Sequence, residues 1–391
     1  MRLHTVLSVH NYYREPGGED KVFAAEAELL RRAGHTVALY EDRNDRIENG
    51  IISGLAASWN QGTYKGLQAL LHARKPDLVH FHNTFPLVSP AAYYASERLD
   101  VPVIQTLHNF RLLCPGATFF RDGHVCEDCT GRAVPTPGIV HGCYRGSRSA
   151  SAAVAAMLSI HQAAGTYRRM VDLYIAPSKF VRDKFVENGF AAEKIAVKPN
   201  PILSDPGVGE GSGGYALFVG RLSEEKGVRT LAAAWQDLSS VPLLVAGDGP
   251  LSPRWPAGAT VLGAQTHEEV FRLMRSASVL IFPSVCYEGQ PMTLLESLAC
   301  GLPVIGSRLG ATAELIEHGR TGLLFHPGEP DDLVRQVRWA FAHPEEMRTM
   351  RAAARREYEA KYTPEQNYKA LIGAYELAIE NSRRKKPRLC A

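Results

Sequence analysis

The stretch Glu288-Gly289-Gln290-Pro291-Met292-Thr293-Leu294-Leu295-Glu296-Ser297-Leu298-Ala299-Cys300-Gly301 follows a short apolar run, Val279 to Pro283. Such a run forms a parallel strand buried on both faces. Gly301 and, two residues on, Pro303 are the signals that end a helix. Gly289 to Pro291 is therefore expected to be a strand-to-helix turn, with a helix from about Met292 to Cys300. Glu288 falls in the turn and Glu296 inside the helix. Eight helical residues rise about 12 Å. Paired glycosidase carboxyls stand roughly 5–9.5 Å apart across one bond. The wider spacing suits two ends of one long ligand. Backbone N–H groups at a helix start suit an anion between those ends. Taken alone, the two glutamates read as solvated charges; their place at a strand's carboxyl end favours a site.

Outward from this stretch the same rhythm repeats. Strand-like runs are expected at Leu3–His10, His35–Tyr40, Asp77–His82, Val101–His108, Val171–Ala176 and Lys194–Lys198. A second series follows at Tyr215–Gly220, Val241–Gly247, Ala259–Gly263, Val279–Pro283, Leu302–Gly306 and Gly322–Phe325. Helical segments lie between them, among them Lys21–Ala33, with Val22, Ala25, Leu29 and Leu30 at helical spacing. Alternation of this kind specifies a doubly wound parallel α/β sheet. Pro199 to Gly214, rich in Pro, Gly and Ser, separates the two series as a linker. The expected division is a first Rossmann-like domain at 1–200, carrying a Cys-rich insert at 111–146. A second Rossmann-like domain occupies 201–363, and a final helix with a basic tail occupies 364–391. At 391 residues two domains are the natural number.

Composition narrows the function. Lys and Arg number 44 against 41 Asp and Glu, a net charge of +3, which does not indicate nucleic-acid binding. No apolar run reaches the roughly 20 residues that span a bilayer, and no secretory signal is visible. The chain is expected in the cytoplasm, with reduced cysteines. Ten of the fourteen histidines precede Ile202, a skew that points to polar clefts in the first half.

Several strand ends carry candidate chemistry. In Gly220-Arg221-Leu222-Ser223-Glu224-Glu225-Lys226-Gly227, Arg221 leaves the strand end and Lys226 is expected to start the next helix, which places a guanidinium fork and an ammonium on one turn and suits a diphosphate and its departure as a leaving group. Gly17-Gly18 precedes a helix and lets backbone approach a phosphate. His108 ends a strand, where it can meet a sugar hydroxyl or serve as a structural side chain; His80 and His82 are weaker versions of the same idea. Gly247-Asp248-Gly249-Pro250 is first of all a turn. Cys114, Cys126, Cys129 and Cys143 have the spacing C-x11-C-x2-C-x13-C. A structural zinc, reduced packing cysteines and disulfides are all open readings.

These motifs together resemble the retaining glycosyltransferases of family 4, which have the GT-B fold. The resemblance rests on Gly17-Gly18-Glu19, His108, Gly220-Arg221-Leu222 with Lys226-Gly227, Gly247-x-Gly249-Pro250, Glu288-x7-Glu296 and Gly322-Leu323-Leu324-Phe325. It implies that Arg221 and Lys226 bind a donor diphosphate. Glu288 would contact the transferred sugar and Glu296 the nucleotide ribose. The backbone of Gly289, Gln290 and Pro291 would hold sugar and phosphates. Gly17 and Gly18 would approach from the first domain, and His108 would lie near donor sugar and acceptor. It also implies front-face substitution with retention and no metal for the diphosphate. The helix at about Pro364–Ile379 is expected to return to the first domain. Asn200-Pro201 and Gly310-Ala311 depart from the usual Asn-Gly and Gly-Gly. The cysteine insert lies outside the family pattern. The expected activity is hexose transfer from a UDP- or GDP-sugar to a glycan or lipid-linked acceptor of a bacterial surface polysaccharide; the basic tail reads either as a solubilising segment or as a contact with anionic membrane. A nucleotide-sugar epimerase and an inactive assembly partner are the alternatives.

Overall fold

The structure is a computed structural model and describes residues 3–15, 17–47 and 57–385. It falls into two compact units. The first comprises 1–119, 127–201 and 367–391; the second comprises 120–126 and 202–366.

In the first unit the strands are β1 (Thr5–Tyr12), β2 (Thr36–Arg43), β3 (Leu78–Phe81), β4 (Val103–Thr106), β7 (Leu173–Ala176) and β8 (Ile195–Val197); the short hairpin β5 (Phe120–Arg121) and β6 (His124–Val125), between β4 and β7 in the chain, belongs to the second unit. All six strands of the large sheet run parallel in the order β2-β1-β3-β4-β7-β8. The second unit's strands are β9 (Ala216–Val219), β10 (Leu243–Ala246), β11 (Ala259–Gly263), β12 (Val279–Phe282), β13 (Val304–Ser307) and β14 (Gly322–Phe325). They are again parallel, in the order β11-β10-β9-β12-β13-β14. Each sheet changes direction once: between β1 and β3 in the first, between β9 and β12 in the second. The loops leaving those strands diverge and open a crevice at their carboxyl ends, where ligands of doubly wound sheets bind.

The apolar runs seen in the sequence become strands because both sheet faces are covered. In the second unit successive residues go to opposite cores. Leu217, Leu280, Val304 and Leu324 join one cluster, while Phe218, Ile281, Ile305 and Phe325 join the other. In the first unit Val6, Leu78, Ile104, Leu173 and Ile175 pack against Leu371, Ala374, Tyr375 and Ala378 of the helix Pro364–Lys385. Tyr368 and Tyr375 in that helix bond His35 and His80 at 2.8 and 2.9 Å.

Three expectations change. The last helix continues to Lys385, so Arg383 and Arg384 belong to its final turn rather than to a tail; Arg384 bonds Glu380 at 2.6 Å and Lys385 pairs with Asp172. The rest of the basic tail, Lys386 to Arg388, lies outside the described residues. The stretch Pro199–Gly214 is not a free tether. Asn200 and Ile202 are buried, and the N–H groups of Gly209, Gly211 and Gly213 bond the carbonyls of Cys300, Arg275 and Ser276 at 2.8–3.0 Å. Lys226 does not start a helix. It ends a one-turn 3-10 segment, Glu224–Lys226, and the helix Val228–Ala234 begins after Gly227. Among the described residues no helix is long and apolar enough to cross a membrane.

Candidate active site

The second unit's candidate residues gather where its strand order reverses. After β9 the chain turns through exposed Arg221, and Leu222 donates its N–H to the Asp248 carbonyl at 2.7 Å. A Cβ on Gly249 would lie 2.4 Å from the Leu222 carbonyl oxygen, so the Gly247–Pro250 turn clasps the Arg221 loop through backbone alone. Gly227 has φ +68°, and a Cβ there would lie 1.8 Å from the Pro283 carbonyl oxygen at the end of β12. This close approach carries Lys226 to the neighbouring strand end. Its Nζ lies 2.7 Å from Glu288 Oε1, and Ser284 Oγ donates to the same oxygen at 2.8 Å. Val285 N–H donates to the Glu225 carbonyl at 2.9 Å and locks the two loops together.

Burial alone would lower the Lys226 ammonium, but the Glu288 carboxylate, assisted by Cys286 and Glu225, outweighs it and the net shift is upward. The site therefore keeps a cation beside an anion. Cys286 is buried, and desolvation followed by Glu288 pushes its thiol far up; a thiol so held is no nucleophile. Helix Met292–Ala299 follows the turn as expected. Glu296 and Gln290 are buried, and Glu296 Oε1 bonds His267 Nε2 at 2.9 Å. The sequence reading missed His267. It opens the helix His267–Ser276, whose cap Thr266 accepts from Glu269 N–H, and no local pattern distinguishes it from a surface residue.

In the first unit the two expected motifs meet. Gly17 precedes helix Gly18–Arg32 and donates its N–H to Asp20 Oδ2 at 2.7 Å. Glu19, two residues after Gly17, accepts from Asn109 Nδ2 at 3.1 Å, which joins this turn to the segment after His108. No atom lies within 4 Å of a Cβ placed on Gly17 or Gly18, so both face open space. Burial, with Asp20 adding to it, pushes the Glu19 carboxyl up to about 7. Asp20 Oδ1 also holds His10 Nε2 at 2.6 Å. His108 is half-buried, with Nε2 3.0 Å from His82 Nδ1.

Below this rim lies a buried charged cluster, of which the sequence reading marked His80 and His82 but missed Glu26 and Lys198. Glu26 and Lys198 form an ion pair with each side chain 2% exposed. Glu26, His80 and His82 have ligand atoms within 4.8 Å of one another, the one such group of three among the described residues. Both His80 nitrogens already face hydroxyls, Tyr375 and Thr106, and the Lys198 ammonium supplies positive charge to Glu26. A signal existed for Glu26. With Val22, Ala25, Leu29 and Leu30 it completes a helical stripe and so faces the core.

Of the insert cysteines, Cys114 is buried and Cys126, Cys129 and Cys143 are half-buried. A Cβ on Gly116 would lie 3.7 Å from Cys114 Sγ and 3.6 Å from Cys143 Cβ; one on Gly138 would lie 3.4 Å from Cys129 Sγ. A Cβ on Gly138 would also lie 2.9 Å from Pro115 Cγ, so these glycines let the insert pack closely around three cysteines of the first unit; among the described residues no three thiols lie within 4.8 Å of one another.

Residues 16–204 match the model of Glycosyltransferase Family 4, and residues 213–343 match that of Glycosyl transferases group 1. An uncharacterized glycosyltransferase of Methanocaldococcus jannaschii is 29% identical over 213 residues, 52% of this chain and 59% of that protein. A D-rhamnosyltransferase of Pseudomonas aeruginosa is 30% identical over 159 residues, 38% of this chain and 42% of its own. The chain thus spans about half the length of the curated relatives it matches. Anabaena HepE, crystallised with UDP and with UDP-glucose, superposes with a TM-score of 0.67 at 17% identity, over 95% of this chain and 99% of its own. The fold is GT-B, and the chain belongs to the family 4 glycosyltransferases.

Proposed function

We propose that the protein transfers a hexose, with retention, from a UDP- or GDP-sugar to a glycan or lipid-linked acceptor in bacterial surface polysaccharide assembly. One observation carries this reading: Lys226, Ser284 and Glu288 converge at the carboxyl ends of β9 and β12, beside the Arg221 turn. Such a group has a cation for a diphosphate and a carboxylate for sugar hydroxyls. The crystallisation of HepE with UDP-glucose supports a donor of this class. In this reading Arg221 and Lys226 bind the diphosphate and stabilise its growing charge as the sugar leaves. Glu288, held by Ser284, accepts from sugar hydroxyls, and Glu296 with His267 meets the ribose. Gly18 approaches the phosphate. His108 meets the reacting sugar.

A screen of common UDP- and GDP-sugars, with and without glycan acceptors, tests it. Sugar transfer supports the reading; epimerised donor without acceptor, or no turnover of any donor, overturns it. Lys226→Met is expected to weaken binding of the matching nucleoside diphosphate by on the order of 10- to 100-fold in calorimetry, because it removes a charge-assisted contact and leaves Glu288 uncompensated. Equal affinity would remove Lys226 from the diphosphate site.

We further propose a structural zinc held by Cys114, Cys126, Cys129 and Cys143. It rests on the C-x2-C pair and an insert with little core of its own. Elemental analysis of protein purified without added metal is expected to give about one zinc per chain; metal-free protein with an unchanged melting temperature would dismiss it.

A further inference from the structure

Donor binding leaves one set of groups unused: Lys198, Glu26 and His82, which lead to His108. Glu26 lies in the helix Gly18–Arg32, and Lys198 directly follows β8. Both are buried and paired, as buried charges must be. The pair engages Oε1 of Glu26. Its Oε2 has no hydrogen-bond partner and lies 3.6 Å from two ring nitrogens: His80 Nδ1, which already bonds the Tyr375 hydroxyl, and His82 Nε2, which has no partner either. Two orphaned buried atoms of complementary chemistry thus face each other. The other His82 nitrogen is 3.0 Å from His108 Nε2. Phe23 and His80, with ring centroids 5.2 and 4.1 Å from that of His82, wall its ring in place.

The proton positions follow from chemistry. Burial first, then the neighbouring histidines and Lys198, holds both His82 and His108 well below the usual imidazole range, so each is neutral near pH 7. A neutral imidazole has one N–H and one bare nitrogen, whereas a carboxylate oxygen only accepts. Facing Glu26, His82 carries its proton on Nε2. Its Nδ1 is then an acceptor, and the contact with His108 requires a proton on His108 Nε2. His108 Nδ1 is left with its lone pair. We propose that Glu26 and His82 are positioning residues: the Lys198-anchored carboxylate sets the tautomer of His82, which sets that of His108, so that His108 offers a bare Nδ1 to a substrate hydroxyl. That the hydroxyl belongs to a sugar rests on the transferase reading above.

Nitrogen-15 spectra of the full chain labelled at histidine report each ring's tautomer, with the His108 signals identified by their loss in His108→Ala. Protonated Nε2 on both His82 and His108 is expected. In Glu26→Gln the amide can donate to His82 Nε2, so both tautomers are expected to reverse, and kcat for sugar transfer to fall on the order of 10²-fold with donor KM within about twofold. A parent spectrum with His108 protonated on Nδ1 overturns the proposal without any variant. So does a folded Glu26→Gln with unchanged tautomers. Should that substitution unfold the chain, Glu26→Gln with Lys198→Met removes both buried charges and is read in the same way. Parent protein with the expected tautomers but no transfer would sink the transferase reading while leaving the tautomer chain intact.

Discussion

Glu288→Gln is expected to reduce kcat for sugar transfer by about 10²- to 10³-fold while nucleoside diphosphate binding is retained or strengthened. The two halves of this result have different causes. Gln keeps the shape of the side chain and can still accept from Ser284, so the turn after β12 keeps its form. What disappears is the negative charge 2.7 Å from the Lys226 ammonium. In the absence of donor that carboxylate partly neutralises the cation, so its removal leaves more field for a diphosphate. The sugar end loses its anionic acceptor, and a contact that strengthens as charge develops on the sugar is lost from the transition state. Transfer assays beside calorimetry with UDP and GDP separate the effects. Turnover at the parental rate would remove Glu288 from the reacting end.

Gly227→Ala is expected to cost stability and activity together. A side chain at φ +68° is strained, and the new methyl would lie 1.8 Å from the Pro283 carbonyl oxygen, a distance no packing accommodates. Either the 3-10 turn carrying Lys226 or the end of β12 must move. The loss is expected to be about 3 kcal/mol or more, seen as a melting temperature lower by about 10 °C. Displacing either loop also separates Lys226 from Glu288. An unchanged melt would show that the two loops are not pinned as described. Replacement by Asn, which tolerates left-handed backbone, removes little of the clash, so it is expected to behave like Ala and thereby assign the cost to close approach.

How much of this could be read from the chain alone follows from range. The central strands of the two large sheets were legible because a parallel strand covered on both faces is a largely apolar run bounded by Gly, Pro or His, and the edge strands β2 and β11, which are only partly buried, because each is a short run of strand formers between turn residues. The hairpin of Phe120–Arg121 and His124–Val125 was not, since two residues carry no period. Lys226, Glu288 and Glu296 could be assigned to strand ends and a helix from local signals. The bond between Lys226 and Glu288 links residues 62 apart and depends on which strands are neighbours. The pairing of Glu26 with Lys198 spans 172 residues and has still less local trace. Glu26 was nevertheless marked by its place on the apolar stripe of its helix, where a charge is worth pairing off. His267 and the His10–Asp20 pair offered no such mark, because a polar residue at a helix start or strand end satisfies ordinary local rules.

The helix Pro364–Lys385 has a consequence in time. Leu371, Ala374, Tyr375 and Ala378 complete a core whose other members come from β1, β3, β4, β7 and, with Leu30, the helix Gly18–Arg32. On the ribosome residues 202–363, all of the second unit's large sheet, are made between those strands and the last helix, which at about 5–20 residues per second takes on the order of ten seconds. During that interval one face of the first sheet, with Val6, Leu78, Ile104 and Leu173, waits without its cover, while the second unit can already close. The nascent chain therefore passes through a stage with one finished unit and one sticky, half-clad sheet. Chaperone demand and aggregation should peak there, and supplying residues 364–385 as a separate peptide to a chain stopped at 363 should relieve both.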